Sequence, residues 1–228
     1  MFSPIGWRDR LRNDLSRVLR GTTAPVGDQA VALRALELMT IVLEDRRFLK
    51  HFGVDLRSVL REVSKALTLH RHGGFSTIDM QFVRTITGFR QHTIRRKVYE
   101  IVLALALQSH CDKRTILRSY LACAYFGSGL IGAEAAARKV FGKDVDQLDL
   151  QEAAFIGAML ACPRPRNGSP KWQARVQRRA AYGLSVYFAN SKRLMRRYNL
   201  AFQEDILRSR ESAASGAPHA ASPISIPA

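Results

Sequence analysis

Two acidic residues, Glu44 and Glu100, lie in surroundings that suit acid–base or ion-binding chemistry. Glu44 follows the apolar run 38–43 and precedes Arg46 and Arg47. Burial would raise the pKa of its carboxyl group, whereas the arginines would lower it. A general base at this position therefore requires the effect of burial to be the stronger one.

Glu100 follows Arg96 by four residues and Lys97 by three. On a helix this spacing places the three side chains on one face, where the two cations can point at a shared anionic ligand. Ion-paired structural carboxylates would have the same spacing. The spacing alone leaves both interpretations open for Glu100, as it does for Glu44.

A third segment, residues 73–84, combines flexible backbone with polar side chains just before a predicted helix. Its glycines and polar residues include Gly73, Gly74, Ser76, Thr77, Gln81 and Arg84. Glycines let a ligand approach the backbone closely, and the first N–H groups of a helix can bind an anion. An ordinary turn followed by a helix cap would look the same.

The elements that position these residues are predicted to be helices, because apolar side chains recur with helical spacing almost throughout. Asp28 and Asp55 are predicted helix caps, and the helix after Asp55 is expected to bury one face, consisting of Leu56, Val59, Leu60, Val63 and Leu67. Short extended pieces are expected only near 73–74. The predicted helices are 7–20, 30–43, 56–67, 78–86, 93–109, 113–126, 133–140, 149–162 and 171–208.

Length and composition predict one domain, and helical periodicity predicts that it is mainly α, with a basic head and a tail. The chain has 228 residues, 46% of them hydrophobic, and a net charge of +17. We expect a basic amphipathic N-terminal segment over 1–29, the domain over 30–208 and a disordered tail over 209–228. The three cysteines lack the spacing of a zinc site or a disulfide framework.

The charge requires an anionic partner, which could be nucleic acid, a membrane surface or a phosphate-bearing substrate. The segment 7–20 places Leu11, Leu15, Val18 and Leu19 on one face and arginines on the rest. Such a helix can lie in a membrane interface or dock on the protein core. The sequence contains neither a membrane-spanning run nor a recognisable secretory signal.

Taken in order, these segments resemble the peptidoglycan glycosyltransferase family, which comprises monofunctional transglycosylases and the glycosyltransferase domain of class A penicillin-binding proteins. The resemblance covers residues 30–184. The family motif E-D-x-x-F-x-x-H-x-G is complete, and its fixed positions are Glu44, Asp45, Phe48, His51 and Gly53. The motif R-K-x-x-E is complete as well, from Arg96 to Glu100.

The remaining family motifs are present in part. In G-x-S-T-I-T-Q-Q, over 74–81, Asp79 and Met80 replace Thr and the first Gln, and the Lys that follows is Arg84. We expect the substituted positions to face the donor substrate. The other departures and partial matches are Phe75 for a small residue, His92 for an Arg, Ala122 for the Asn of Y-L-N, and Arg178-Arg179 as half of R-R-x-x-V-L.

The resemblance implies a lysozyme-like helical fold and the polymerisation of lipid II into glycan strands, with inversion and release of lipid pyrophosphate. Glu44 would be the general base. Glu100 would organise the cations around the pyrophosphate or bind a divalent metal, Mg or Mn. The implied substrate-binding residues are Asp45, Phe48, His51, Gly74, Ser76, Thr77, Gln81, Arg84, Arg96, Lys97, Arg178 and Arg179.

The resemblance also implies partners and a place of action. The partners are lipid II, the growing glycan chain, an anionic membrane surface, and a separate transpeptidase or other wall-synthesis proteins; nucleic acid is not expected. The protein would act peripherally at the outer, periplasmic face of the cytoplasmic membrane. The alternatives are a weak or inactive scaffold, a basic surface-binding module, and a lysozyme-like glycan hydrolase, although a hydrolase needs a second carboxylic acid.

Overall fold

The computed structural model describes residues 4–22, 35–67, 76–89, 91 and 93–198. These residues confirm the predicted mainly α class and are consistent with a lysozyme-like helical domain. The helices are α1 (Pro4–Arg20), α2 (Ala35–Glu44), α3 (Leu56–Leu67), α4 (Ile78–Thr87), α5 (Ile94–Gln108), α6 (Lys113–Cys123), α7 (Ala133–Phe141), α8 (Leu150–Met159) and α9 (Pro170–Tyr198). Two short 3₁₀ helices, Phe48–Lys50 and Val145–Gln147, and strands β1 (Tyr125–Gly127) and β2 (Leu130–Ile131) complete the order.

Several predictions fall on other parts of the chain. The Asp28 cap, the start of the second predicted helix at 30–34, the extended pieces near 73–74 and the tail 209–228 lie outside the described residues. No helix of the described ranges carries an apolar stretch long enough to cross a bilayer.

The chain divides into two compact units, which we call unit 1 (1–26 and 44–124) and unit 2 (27–43 and 125–228). In unit 1, α4 packs against α5 and α6. The starts of these helices follow from their caps, since the side chains of Thr77, Thr93 and Asp112 accept hydrogen bonds from backbone N–H groups of the first turn. The core of unit 1 includes Phe82, Leu103, Leu107, Ile116 and Leu117.

Helix α1 packs on α4 and α5. Val18 is fully buried, and Leu11, Leu15 and Leu19 are partly buried. Most of the arginines of α1 remain exposed. Of the two arrangements that the amphipathic pattern allows, the structure has the one in which the apolar face docks on the protein.

The predicted inner face of α3 is wrong for two of its residues. Leu56 is 71% exposed and Leu60 69% exposed, while Val59 is partly buried. Helical periodicity shows that one face is apolar but does not show what covers it. The side chains of Val63 and Leu67 are outside the description.

Unit 2 is built around α8, which packs against α9. The consecutive residues 153–159 of α8 are all buried, so this helix is apolar on every side. Its start is a capping box in which Asp149 and Glu152 bond each other's backbone N–H groups. Trp172 of α9 donates from Nε1 to the carbonyl of Cys162 at 2.8 Å, which ties the α8–α9 loop to α9.

The hairpin of β1 and β2 corrects the prediction of a helix over 113–126. Helix α6 ends at Cys123, and Tyr125 pairs with Ile131. Gly127 has φ +149° and forms a bridge with Arg164, and a Cβ atom at Gly127 would lie 2.4 Å from the Arg164 carbonyl oxygen. The extended backbone is therefore set by a contact with a distant residue, which helical periodicity does not reveal.

Candidate active site

Glu44 is the last residue of α2 and its side chain is partly buried. Gln81 donates from Nε2 to Glu44 Oε2 at 3.2 Å, and Tyr120 donates from its hydroxyl to Gln81 Oε1 at 2.6 Å. Burial, and then the charge of Glu44, raise the pKa of Tyr120, so the phenol stays protonated and serves as a donor. With the oxygen of Gln81 held by Tyr120, its NH₂ group is left to face the carboxylate.

Tyr120 is a site residue that the sequence analysis did not single out. The only sequence signal for it is the Tyr of the partly matched motif Y-L-N. Tyr120 lies on α6, 39 residues after Gln81. Its role as a support for Gln81 depends on the packing of α4 against α6.

Asp45 links the segment after α2 to the start of α4. Its Oδ2 lies 2.9 Å from Nε2 of His51 and accepts the backbone N–H of Ile78 at 3.3 Å. Its Oδ1 accepts the N–H of Arg47 at 3.2 Å. The two motif residues Asp45 and His51 thereby hold the backbone beside Glu44.

Thr77 and Gly53 explain why the motifs contain a hydroxyl and a glycine at these positions. Thr77 is buried, donates to the carbonyl of Gly53 at 2.7 Å and caps α4 by accepting the N–H of Met80. Gly53 has φ +69°, and a Cβ atom there would lie 2.7 Å from the carbonyl oxygen of Ala104. The sequence left two interpretations of the 73–84 segment, a ligand-binding site or a turn with a helix cap. For Thr77 the structure shows the helix cap.

Asp79 and Met80 do not face a substrate, contrary to the expectation from the sequence. Both side chains are fully buried, because the first turn of α4 lies within the core of unit 1. Lys113 of α6 binds both carboxylate oxygens of Asp79, at 2.9 and 2.8 Å, and its Nζ lies 4.5 Å from the ring centre of Phe48. Phe48 is fully buried as well, so its side chain belongs to the core.

The Asp79–Lys113 pair is expected to be essential for stability. Asp79→Ala leaves the Lys113 ammonium group buried without its carboxylate, which should lower the free energy of unfolding by about 3–5 kcal/mol in a urea titration. Asp79→Ala combined with Lys113→Met should recover a large part of that loss. The matched control is Glu134→Ala, which breaks the exposed pair with Arg138 and should cost less than about 1 kcal/mol. Equal losses in Asp79→Ala and Glu134→Ala would contradict the prediction.

Glu100 is the centre of a group that we call the cation cluster: Arg84, Arg96, Lys97 and Glu100. Glu100 is fully buried, and Arg96 forms a short hydrogen-bonded ion pair with it. Nζ of Lys97 lies 3.7 Å from Glu100 Oε2 and donates to Ser76 at 2.7 Å. The pKa of Lys97 is lowered to about 8, mainly by burial; the charge of Glu100 opposes this shift, and the charges of Arg84 and Arg96 add to it.

The cation cluster holds three positive charges and one negative charge, so it suits an anion of at least two charges. The same composition does not suit a divalent metal held by the protein at Glu100. A metal ion at Glu100 would be repelled by the nearby charges of Arg96 and Lys97. The cation cluster would offer it no second carboxylate ligand. Among the described residues, the group with metal-ligand spacing is Asp45, His51 and Asp79. The Lys113 ammonium group already binds both oxygens of Asp79.

The other predicted site residues are placed as follows. Arg179 of α9 donates to the carbonyl of Leu43, within unit 2, at 3.1 Å, and Arg178 is exposed. Ala122, near the end of α6, is exposed. Gly74, Phe75 and His92 lie outside the described residues.

Fold and site together define a helical protein that holds a hydrogen-bonded carboxylate and a cation cluster in one compact unit. The chain belongs to the transglycosylase family, whose model, described as Transglycosylase, matches residues 25–186. This assignment confirms the resemblance to peptidoglycan glycosyltransferases that the motifs indicate.

Curated relatives agree with the family. Penicillin-binding protein 1A of Aquifex aeolicus (strain VF5) is 37% identical over 143 residues, which are 61% of this chain and 19% of that protein. The biosynthetic peptidoglycan transglycosylase of Vibrio parahaemolyticus is 37% identical over 128 residues, 56% of this chain and 57% of the relative. That of Shewanella denitrificans is 37% identical over 136 residues, 58% of each chain. The match spans less than two thirds of each of these relatives.

Proposed function

We propose that this protein is a peptidoglycan glycosyltransferase that polymerises lipid II into glycan strands. The observation that carries the proposal is the Glu44 carboxylate, held by Gln81 in the same unit as the cation cluster. A base and a group of cations are the two components that transfer from a lipid pyrophosphate requires.

In the proposed reaction, Glu44 takes the proton from the 4-hydroxyl of the acceptor sugar. The resulting oxygen nucleophile attacks the anomeric carbon of the donor from the face opposite the pyrophosphate. A new C–O bond forms, the bond to the pyrophosphate breaks, and the configuration inverts. The electron pair of the broken bond leaves with the lipid pyrophosphate.

Arg84, Arg96 and Lys97 would stabilise the charge that develops on the leaving pyrophosphate. Such preorganised groups stabilise a transition state efficiently because they do not have to reorient during the reaction. Glu100 would be a positioning residue, since Arg96 and Lys97 are paired with it. The predicted requirement for Mg or Mn stays a prediction, and no step of this mechanism depends on it.

A lysozyme-like hydrolase is the less favoured alternative. Hydrolysis of a glycosidic bond needs a carboxylic acid that protonates a poor leaving group. Glu100, the other acid predicted to be catalytic, is fully buried and is paired with two cations. This pairing suits the binding of an anion better than the delivery of a proton.

The proposed substrate also defines a place of action. Because its donor is anchored in a membrane by a lipid, the enzyme would act on an anionic membrane surface, at the outer face of the cytoplasmic membrane. Its product is an uncross-linked glycan strand. A separate transpeptidase or another wall-synthesis protein is therefore the proposed partner.

The test is incubation of the purified protein with fluorescent lipid II, with Mg²⁺, Mn²⁺ or a chelator, followed by separation of the products on a gel. A ladder of glycan polymers is the expected result. Absence of product from a folded protein would favour the scaffold or basic surface-binding alternatives. Shortening of a preformed glycan strand would favour the hydrolase.

The lowered pKa of Lys97, about 8, predicts an alkaline limit to the reaction. The kcat/KM for lipid II should fall as the pH rises through about 8, because the free enzyme then loses a cation. In Lys97→Arg this fall should move to higher pH, since the guanidinium stays charged. Lys139→Arg, at an exposed position, is the matched control and should keep the wild-type profile.

The lowered pKa of Lys97 also shows how an alkaline loss of rate caused by deprotonation can be distinguished from one caused by unfolding. Lys97 has a pKa of about 8 in the folded protein against 10.5 for a free lysine. Between these values the unfolded chain binds more protons, so the contribution of Lys97 to the free energy of unfolding rises with pH. An alkaline loss of rate that coincides with a loss of thermal stability would contradict this explanation.

A further inference from the structure

A cavity of about 630 Å³ lies in unit 1, between α1 and the beginning of α5. Its volume is in the range of small-molecule sites. The residues that decide its chemistry are Trp7, Arg10, Phe89, Ile94, Val98 and Tyr99. The glycosyl transfer proposed above uses none of these six side chains.

The aromatic wall of the cavity is held in place by its own contacts. The ring centre of Tyr99 lies 6.5 Å from that of Trp7 and 5.5 Å from that of Phe89. The hydroxyl of Tyr99 donates to Asp14 at 2.8 Å, and the guanidinium carbon of Arg10 lies 5.7 Å from the Tyr99 ring centre. The wall is therefore ordered without a ligand, which reduces the entropy lost on binding.

The mouth of the cavity exposes apolar side chains. Trp7 is 45% exposed, Ile94 84% and Val98 54%. These residues belong to two different helices, so the exposed group arises only because α1 docks on α5. The apolar face of α1 itself is covered by that docking, so it is not available to a membrane.

The charge around the cavity specifies the occupant. Arg10, Arg95 and Arg96 take part in its lining; Arg10 forms an ion pair with Asp14 at 3.8 Å, and Arg96 is bound to Glu100. Elsewhere on α1, Arg8, Arg12, Arg17 and Arg20 are also exposed. An occupant must therefore combine an apolar chain, which contacts Trp7 and Val98, with an anionic group near the arginines.

We infer that this cavity binds a single anionic phospholipid, with an acyl chain against Trp7, Ile94 and Val98 and the phosphate at Arg10 and Arg95. The site would attach the protein to a membrane surface through a bound lipid, instead of through the apolar face of α1. This inference goes beyond the proposed glycosyl transfer and does not depend on it.

The experiment uses tryptophan fluorescence of the whole chain. The protein has two tryptophans, Trp7 and the buried Trp172, so Trp172→Phe leaves Trp7 as the reporter. Dihexanoylphosphatidylglycerol is titrated below its critical micelle concentration. We expect a saturable shift of the Trp7 emission to shorter wavelength, and no saturable shift with dihexanoylphosphatidylcholine.

Substitutions at the mouth test the position of the site. Ile94→Asp, made in the Trp172→Phe background, should weaken binding about tenfold, because it removes apolar contact and adds a negative charge. Ile131→Asp is the matched control, since Ile131 is 59% exposed and lies in unit 2. Both positions are exposed, so neither change removes a core side chain, and circular dichroism verifies folding.

The inference is overturned by any of three results. The first is the absence of a saturable shift with phosphatidylglycerol, and the second is equal affinity in Ile94→Asp and Ile131→Asp. The third is tighter saturable binding of geranyl pyrophosphate than of phosphatidylglycerol, which would assign the cavity to an isoprenoid. Because the assay contains no lipid II, failure of the proposed transferase would leave its result unaffected.

Discussion

Glu44→Gln is expected to abolish glycan polymerisation, with a loss of kcat of at least about 10³-fold, toward the upper end of what general-base catalysis contributes. The amide keeps the size of the side chain but cannot take the proton of the acceptor hydroxyl. Because Glu44 is partly buried at the end of α2, the change should leave the thermal midpoint nearly unaltered. The measurement is the ladder of polymers from fluorescent lipid II.

Glu134→Gln is the matched control for Glu44→Gln. It makes the same chemical change at an exposed carboxylate of α7 and should leave the rate at the wild-type value. A folded Glu44→Gln protein that still polymerises lipid II would remove Glu44 from the role of base. Equal losses in both variants would point to a general effect of charge.

Arg96→Ala should slow turnover by about 10²–10³-fold, if this cation stabilises the leaving pyrophosphate as effectively as an oxyanion-hole donor stabilises its oxyanion. The guanidinium of Arg96 is also the principal partner of the fully buried Glu100. Its removal should therefore lower the free energy of unfolding as well, by about 3–5 kcal/mol. Rates are measured at a temperature where circular dichroism shows the variant to be folded.

Two further variants separate the role of Arg96 from that of positive charge in general. Arg12→Ala removes an exposed arginine of α1 and should change the rate less than twofold. Arg96→Lys keeps the charge but loses the forked geometry of the guanidinium, so it should restore only part of the rate. Comparable losses in Arg96→Ala and Arg12→Ala would show that a diffuse field, and not the cation cluster, assists the reaction.

Much of the fold and of the site was predictable from the sequence. Helix starts depend on neighbouring residues, so the helices predicted to begin near 93 and 149 agree with α5 and α8, whose caps in the structure are Thr93 and Asp149. The spacing of Arg96, Lys97 and Glu100 predicted their common helix face, and the ion pairs of the structure follow it. The motifs taken together and in order, the complete one from Glu44 to Gly53 among them, indicated the family that the match over 25–186 confirms.

Other features depend on contacts between residues that are distant in the sequence. Aspartate is usually a surface residue, but Asp79 is buried because Lys113 of α6 forms an ion pair with it. The same holds for the exposed face of α3 and for the hairpin of β1 and β2, which depend on the residues that lie next to them in space. A pattern of residue types cannot show this.

The sequence by itself therefore determined the helical class and the family, because these follow from local spacing and from complete motifs, and it singled out the candidate acids and cations. The tertiary structure decided that Gln81, supported by Tyr120, holds Glu44, and that α1 docks its apolar face on α4 and α5 and forms a cavity with α5. Both arrangements arise from the packing of helices that lie far apart in the chain. The packing of side chains across such helices is a property of the folded core as a whole.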